Sequence, residues 1–133
     1  MGCYKIPADF NNSTSAENDC VQKGGHLASI HSKEENEFLL RLIGPADSPN
    51  HAPIMIVGGK VKDDQTFFWT DGTKFDYSYW QSGQPQHPYG TQDCIFMMPG
   101  GDASDGRWIL ERCDMPSRYI CKKSFEGNKF LLF

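Results

Sequence analysis

The stretch 80–94, Trp-Gln-Ser-Gly-Gln-Pro-Gln-His-Pro-Tyr-Gly-Thr-Gln-Asp-Cys, gathers the side chains best suited to hold a ligand. They are the amides of Gln84, Gln86 and Gln92, the imidazole of His87 and the phenol of Tyr89, with Arg107 farther along as a cation that could join them. An amide donates and accepts hydrogen bonds, and a ring beside it offers an apolar face; the pair suits a saccharide, a protein epitope or simply a solvated turn. Two prolines stiffen the stretch and Trp80 and Cys94 bracket it, so it reads as an ordered loop pinned to a core. Loops of that kind usually carry function.

Other chemistries find little support. The chain has no Gly-x-Ser-x-Gly elbow, no His-Glu-x-x-His and no Gly-x-x-x-x-Gly-Lys phosphate loop, so no catalytic residue and no enzyme activity is expected. Asp63-Asp64, or Asp102 with Asp105, could hold a metal, but each pair reads as a polar turn. His26 and His31 flank a short strand, and the expectation is one near the core and one at a helix entry. Five cysteines, Cys3, Cys20, Cys94, Cys113 and Cys121, include no Cys-x-x-Cys pair and no histidine cluster beside them, which favours disulfides over zinc. Four paired cysteines allow three connectivities, with one cysteine left over. Asn11-Asn12-Ser13 and Asn12-Ser13-Thr14 are overlapping N-glycosylation sequons.

At 133 residues the chain has the length of one domain. Its formal charge of −4, with Lys122-Lys123 as its adjacent basic pair, argues against a nucleic-acid or anionic-membrane partner. No apolar stretch reaches the ~18 residues of a spanning helix, so membrane insertion is not expected. The N-terminus also lacks the apolar run of a signal peptide. With disulfides implied, the expectation is a secreted or extracellular mature form. Nine phenylalanines, five tyrosines and three tryptophans promise a core of rings, and 13 glycines with eight prolines promise many turns.

The elements that must position the loop follow from pattern. Residues 4–10 read as an edge strand, since Pro7 is poorly tolerated in a central one. Asn12 or Ser13 can cap a helix running to about residue 23, with Ala16 and Cys20 facing inward and Gly24-Gly25 ending it. Residues 27–30 read as a short strand, and Ser32-Lys33-Glu34-Glu35 as a capping box opening a second helix that Gly44-Pro45 stops. An apolar run over 54–57, interrupted at Gly58-Gly59, resumes at 66–69 as a strand. Ile95 and Met97 alternate with outward positions, and residues 100–106 form a hairpin loop. A last strand spans 118–122. Helices first and strands after indicate an α+β fold.

Together these residues resemble the C-type lectin-like domain family over nearly the whole chain. The motifs that carry the likeness are Cys20, the run from Gly24 to Ser32, Trp69-Thr70-Asp71-Gly72, Tyr77, Trp80, Gly83-Gln84-Pro85, Asp93-Cys94, Trp108, Cys113 and Tyr119-Ile120-Cys121. The resemblance implies two helices and small antiparallel sheets with a long loop region, the disulfides Cys20–Cys121 and Cys94–Cys113, and Trp69, Trp80 and Trp108 as anchors under the loops. It implies a domain over 1–123 and an extension over 124–133 with an apolar end, Phe130-Leu131-Leu132-Phe133, expected to pack on the domain or on a second copy. Cys3 matches one half of an extra N-terminal pair in longer relatives. It and the apolar end are the two routes to a homo-oligomer.

Sugar-binding relatives hold a calcium ion in the loop. Carried across, their ligand positions fall on Gln84, Gln86, Gln92, Ile109 and Leu110, none of them a carboxylate and two of them aliphatic, whereas tight calcium sites use several carboxylates. Asp93 survives from an auxiliary site whose other acidic position is His87. The expectation is therefore an extracellular module that needs no cofactor or metal and binds a protein or other ligand through its long-loop face; the alternative is a calcium-independent carbohydrate-binding lectin, with a glycan as its partner. Ice binding, a third class, would need a flat regular face of Thr or Gln that the sequence lacks.

Overall fold

The computed structural model describes residues 2–86, 88, 90–100 and 105–124. Two helices and two sheets make up its architecture. α1 (Ser13–Gln22) is capped by Asn12, whose side chain accepts from the Ser15 amide at 2.9 Å. α2 (Lys33–Ile43) is capped by Ser32, whose hydroxyl accepts from the Glu35 amide at 3.0 Å. A reciprocal capping box would return the Glu35 carboxylate to the Ser32 amide. Here it reaches one residue farther, accepting from the His31 amide at 2.8 Å, and its other oxygen enters the interior.

One antiparallel sheet has the order β1 (Gly2–Lys5), β8 (Cys121–Ser124), β2 (His26–Leu27). The larger sheet has the order β4 (Phe67–Trp69), β3 (Met55–Val61), β5 (Asp93–Met98), β6 (Arg107–Arg112), and β7 (Arg118–Tyr119) pairs parallel with β3. The edge strand expected at 4–10 ends at Lys5. Beyond it the Ile6 and Pro7 carbonyls turn inward to accept from the buried Arg118 guanidinium, with Nη2 2.7 Å from the Pro7 oxygen. The strand expected over 27–30 is likewise shorter. Past Leu27 the backbone changes partners: the Ala28 amide donates to Ile120 and its carbonyl accepts from Gly58, so this segment ties the two sheets together.

Gly58 and Gly59 do not interrupt the apolar run; they are the middle of β3. A Cβ on Gly58 would stand 2.6 Å from the Leu27 carbonyl oxygen, and one on Gly59 would stand 2.3 Å from Ile95 Cδ1. The pair marks a close approach of packed strands, which sequence alone presents as a turn. Positions expected to point outward on β5 are also buried. Met55, Val57, Ile95 and Met97 join Leu39, Ile43, Trp69 and Trp108 in one core cluster, while Ile56, Cys94 and Phe96 join Ala16, Cys20 and Tyr119 in a second cluster that includes α1. The period-two alternation sorts residues between two cores, because both faces of these central strands are covered.

Disulfides connect Cys20 to Cys121 and Cys94 to Cys113. Cys3 sits half-buried on β1 opposite Lys123. The expectations placed on Asp102 and on residues 125–133 fall outside the described residues.

Candidate functional site

The long loop leaves the core on a shelf of rings. Trp108, fully buried on β6, stands nearly perpendicular to Trp69 at 5.6 Å, Trp80 at 5.7 Å and Tyr77 at 5.8 Å between centroids. Its indole N–H donates to Asn36 Oδ1 at 2.9 Å, and Asn36 Nδ2 donates to the Gly106 carbonyl, so a buried amide on α2 orients the shelf. Trp69 is 1% exposed, whereas Trp80 is half-buried at the loop's start.

The loop then runs along β6, the outer strand of the larger sheet's main order. The Trp108 amide donates to the Tyr79 carbonyl at 2.8 Å, and the Gln81 amide donates to the Trp108 carbonyl at 2.9 Å. The next outward donor is the Leu110 amide, and Gln84 Oε1 accepts it at 3.3 Å. A side-chain carbonyl thus supplies the rung at Leu110. The same oxygen accepts from the Gln86 amide at 3.2 Å. Gln84 is therefore held by the scaffold, with its oxygen already serving two amides.

The other expected site residues separate. Gln86 is exposed at the loop's outer turn. Gln92 is exposed in a 3-10 turn (Gly90–Gln92) whose last carbonyl accepts from the Cys113 amide at 2.7 Å. Arg107 opens β6, donating to the Trp80 carbonyl at 3.2 Å with its guanidinium 4.5 Å from the Tyr79 ring centroid. Gln92 meets Cys113, beyond the other end of β6, and the strand from Arg107 to Arg112 spans about 17 Å. One small ligand cannot reach both. His87 and Tyr89 lie outside the described residues.

The positions carried over from the calcium ligands have a plain geometry. The Leu110 side chain is 5% exposed in the first core cluster, and Ile109 packs against the second. Asp93 is fully buried at the start of β5, opposite Arg112. His26 Nδ1 lies 2.6 Å from Glu17 Oε2, and His31 Nδ1 lies 2.8 Å from Asp76 Oδ1. Among the described residues no three His, Cys, Asp or Glu side chains form a group able to hold a metal.

Sequence reasoning missed the cleft beside Gln92. About 480 Å³ in volume, it is lined by Asn12, Lys60, Thr91, Gln92, Arg112 and Asp114 among others. Arg112 grips Asp114 with two hydrogen bonds, at 3.0 and 2.7 Å, and these hold the Asp114 carboxyl below the usual carboxylate range. Lys60 comes from β3, where it pairs with Cys94 in register. Its signal was present, as a lone charge in the apolar run Met55–Val61. What it would face, at the foot of a loop some 30 residues later in the chain, was not.

The Lectin C-type domain family model matches residues 11–123. A lectin from Pleurodeles waltl is 36% identical over 124 residues, covering 90% of this chain and 68% of that protein. Among solved structures, CEL-IV has a TM-score of 0.82 at 31% identity, over 96% of this chain and 90% of its own. A calcium-independent type II antifreeze protein has a TM-score of 0.77 at 34% identity, over 92% of this chain and 85% of its own.

Proposed function

The chain belongs to the C-type lectin domain family, and from that premise we propose that it is an extracellular recognition module whose long-loop face binds a protein or other ligand without calcium. The observation that carries the reading is Gln84. At a position where sugar-binding relatives use a calcium ligand, its side-chain oxygen is the acceptor for the Leu110 and Gln86 amides. The remaining positions supply two exposed neutral amides, Gln86 and Gln92, and two aliphatic side chains packed on the cores. These residues do not fit a hard cation that needs six to eight oxygens, several of them carboxylate.

The cleft at the loop's foot favours a second reading, a lectin that holds its saccharide without metal. Gln92 offers an amide there, Thr91 a hydroxyl, and Lys60 and Arg112 cations; a carbohydrate is held by such groups through paired donor and acceptor contacts. The similar antifreeze protein raises surface adsorption as a further class, which a thermal hysteresis assay would detect.

A glycan array probed with calcium and again with chelator tests both main readings. Equal binding in the two conditions selects the metal-independent lectin. Silence in both leaves a protein ligand, to be sought by surface capture of extracellular proteins with Gln86→Ala as the control. Binding lost on chelation overturns the calcium argument.

A further inference from the structure

We propose that Asn12, and not its neighbour Asn11, is an N-glycosylation site. Both asparagines head a sequon, Asn11-Asn12-Ser13 and Asn12-Ser13-Thr14, and the fold treats them in opposite ways.

Asn11 is half-buried and tied into the fold through both its backbone and its side chain. Its amide and carbonyl exchange hydrogen bonds with Ser117, both at 3.0 Å, and its Nδ2 donates to the Tyr119 hydroxyl at 3.1 Å. That hydroxyl donates in turn to Asp19 Oδ2 at 2.7 Å, closing a chain from the segment before α1 to the helix itself. A glycan on Asn11 Nδ2 would leave that nitrogen a single N–H and would stand on the atom that meets the Tyr119 hydroxyl, crowding this contact. The hydroxyl of its sequon, on Ser13, is also fully buried.

Asn12 offers the reverse. Its Oδ1 caps α1 by accepting from the Ser15 amide, while its Nδ2 makes no hydrogen bond among the described residues and the side chain lines the open cleft beside Gln92. Its sequon hydroxyl, on Thr14, is exposed. Glycosylation keeps the amide carbonyl, so the cap survives modification. In the transfer, Asn12 Nδ2 loses a proton and forms a bond to the anomeric carbon of a polyprenyl-diphosphate-linked oligosaccharide. The bond from that carbon to the diphosphate oxygen breaks, and polyprenyl diphosphate leaves with the proton. The first sugar then stands at the mouth of the cleft.

The inference rests on the extracellular reading only in that the chain must meet the transferase. The test supplies that passage: the full chain is expressed behind an added secretion leader in a eukaryotic host. The secreted protein is released from its glycan by peptide N-glycosidase in heavy-oxygen water, and the labelled aspartate is located by peptide mapping. The label is expected at residue 12. Ser13→Ala destroys only the Asn11 sequon and should keep the glycan's gel shift; Thr14→Val destroys only the Asn12 sequon and should abolish it. Both variants should fold, since Ser13 Oγ has no hydrogen-bond partner among the described residues and Thr14 is exposed. Label at residue 11, a glycan that follows Ser13 instead of Thr14, or secreted folded protein with no glycan would each overturn the inference. The loop-face reading keeps its own test.

Discussion

Two regions of this molecule use polar side chains in opposite ways. At the base, where α2 meets β1 and β8, charges are buried and fully engaged. Glu35 is 2% exposed and lies 2.7 Å from Lys122 Nζ; the Tyr4 hydroxyl donates to the same carboxylate oxygen, and Lys122 also donates to the Ser29 carbonyl at 3.0 Å and hydroxyl at 3.1 Å. On the loop face the described outer side chains are neutral amides, hydroxyls and prolines that meet solvent. A buried charge without its partner is costly, so the base admits one arrangement. An exposed amide can exchange water for a ligand at little cost, so the loop face can vary while the base keeps it in place.

That contrast breaks most severely at the disulfides. Cys20–Cys121 closes a separation of 101 residues at the base and Cys94–Cys113 one of 19 under the loop. On the loop-entropy model, replacing the first pair by serine should cost about 4–5 kcal/mol and the second about 3 kcal/mol. Denaturant midpoints of the two double variants should keep that order; the reverse order would place the stability in the loop region. Next comes Lys122→Met, which leaves Glu35 buried without its cation and should cost about 3–5 kcal/mol. Adding Glu35→Leu should recover most of this loss in a double-mutant cycle. No recovery would mean that the pair is not the unit of cost.

The base should also respond to acid. Burial alone would raise the Glu35 carboxyl, but Lys122, Tyr4 and the His31 amide together hold it below its ordinary range. Asp71 behaves likewise: burial opposes, and the Ser29 hydroxyl and the Thr73 side chain and amide prevail. A depressed folded-state pKa contributes stability above the unfolded value, about 4, and loses it as pH falls through the folded value. Urea midpoints should therefore fall steeply below about pH 4, and less steeply in Glu35→Gln. Equal slopes would remove Glu35 from the acid response.

On the loop face the expected effects are smaller. Gln84→Ala leaves the Leu110 amide without its acceptor and should cost about 1 kcal/mol, read as faster hydrogen exchange at Leu110 than at Ile95. Gln86→Ala should change stability by no more than about 0.5 kcal/mol while weakening ligand capture, which separates a recognition residue from a scaffold residue.

How much of this could be read from the sequence depended on distance along the chain. The Ser32 cap, a cap at Asn12 or Ser13 and the inward Ala16–Cys20 face were legible because each rests on local spacing or on a residue type with few alternatives. Gly58-Gly59 was misread as an interruption, because a glycine pair signals a turn unless one knows that Ile95 packs against it. Glu35 was legible as a cap and illegible as the partner of a lysine 87 positions later. Gln84 stood out by its place in a family pattern, yet its bond to Leu110 needs the loop to run beside β6, which no periodicity reports. The cleft at Gln92 was unread for the same reason: α1's cap, β3 and the end of β6 meet only in the fold.

Recognition without calcium can be checked by thermal unfolding in calcium and in chelator. A loop site of the extracellular kind, with Kd about 0.1 mM, would stabilise the fold by about 2.7 kcal/mol at about 10 mM calcium. The same midpoint is expected in both conditions. A saturable rise of that size in calcium would contradict it.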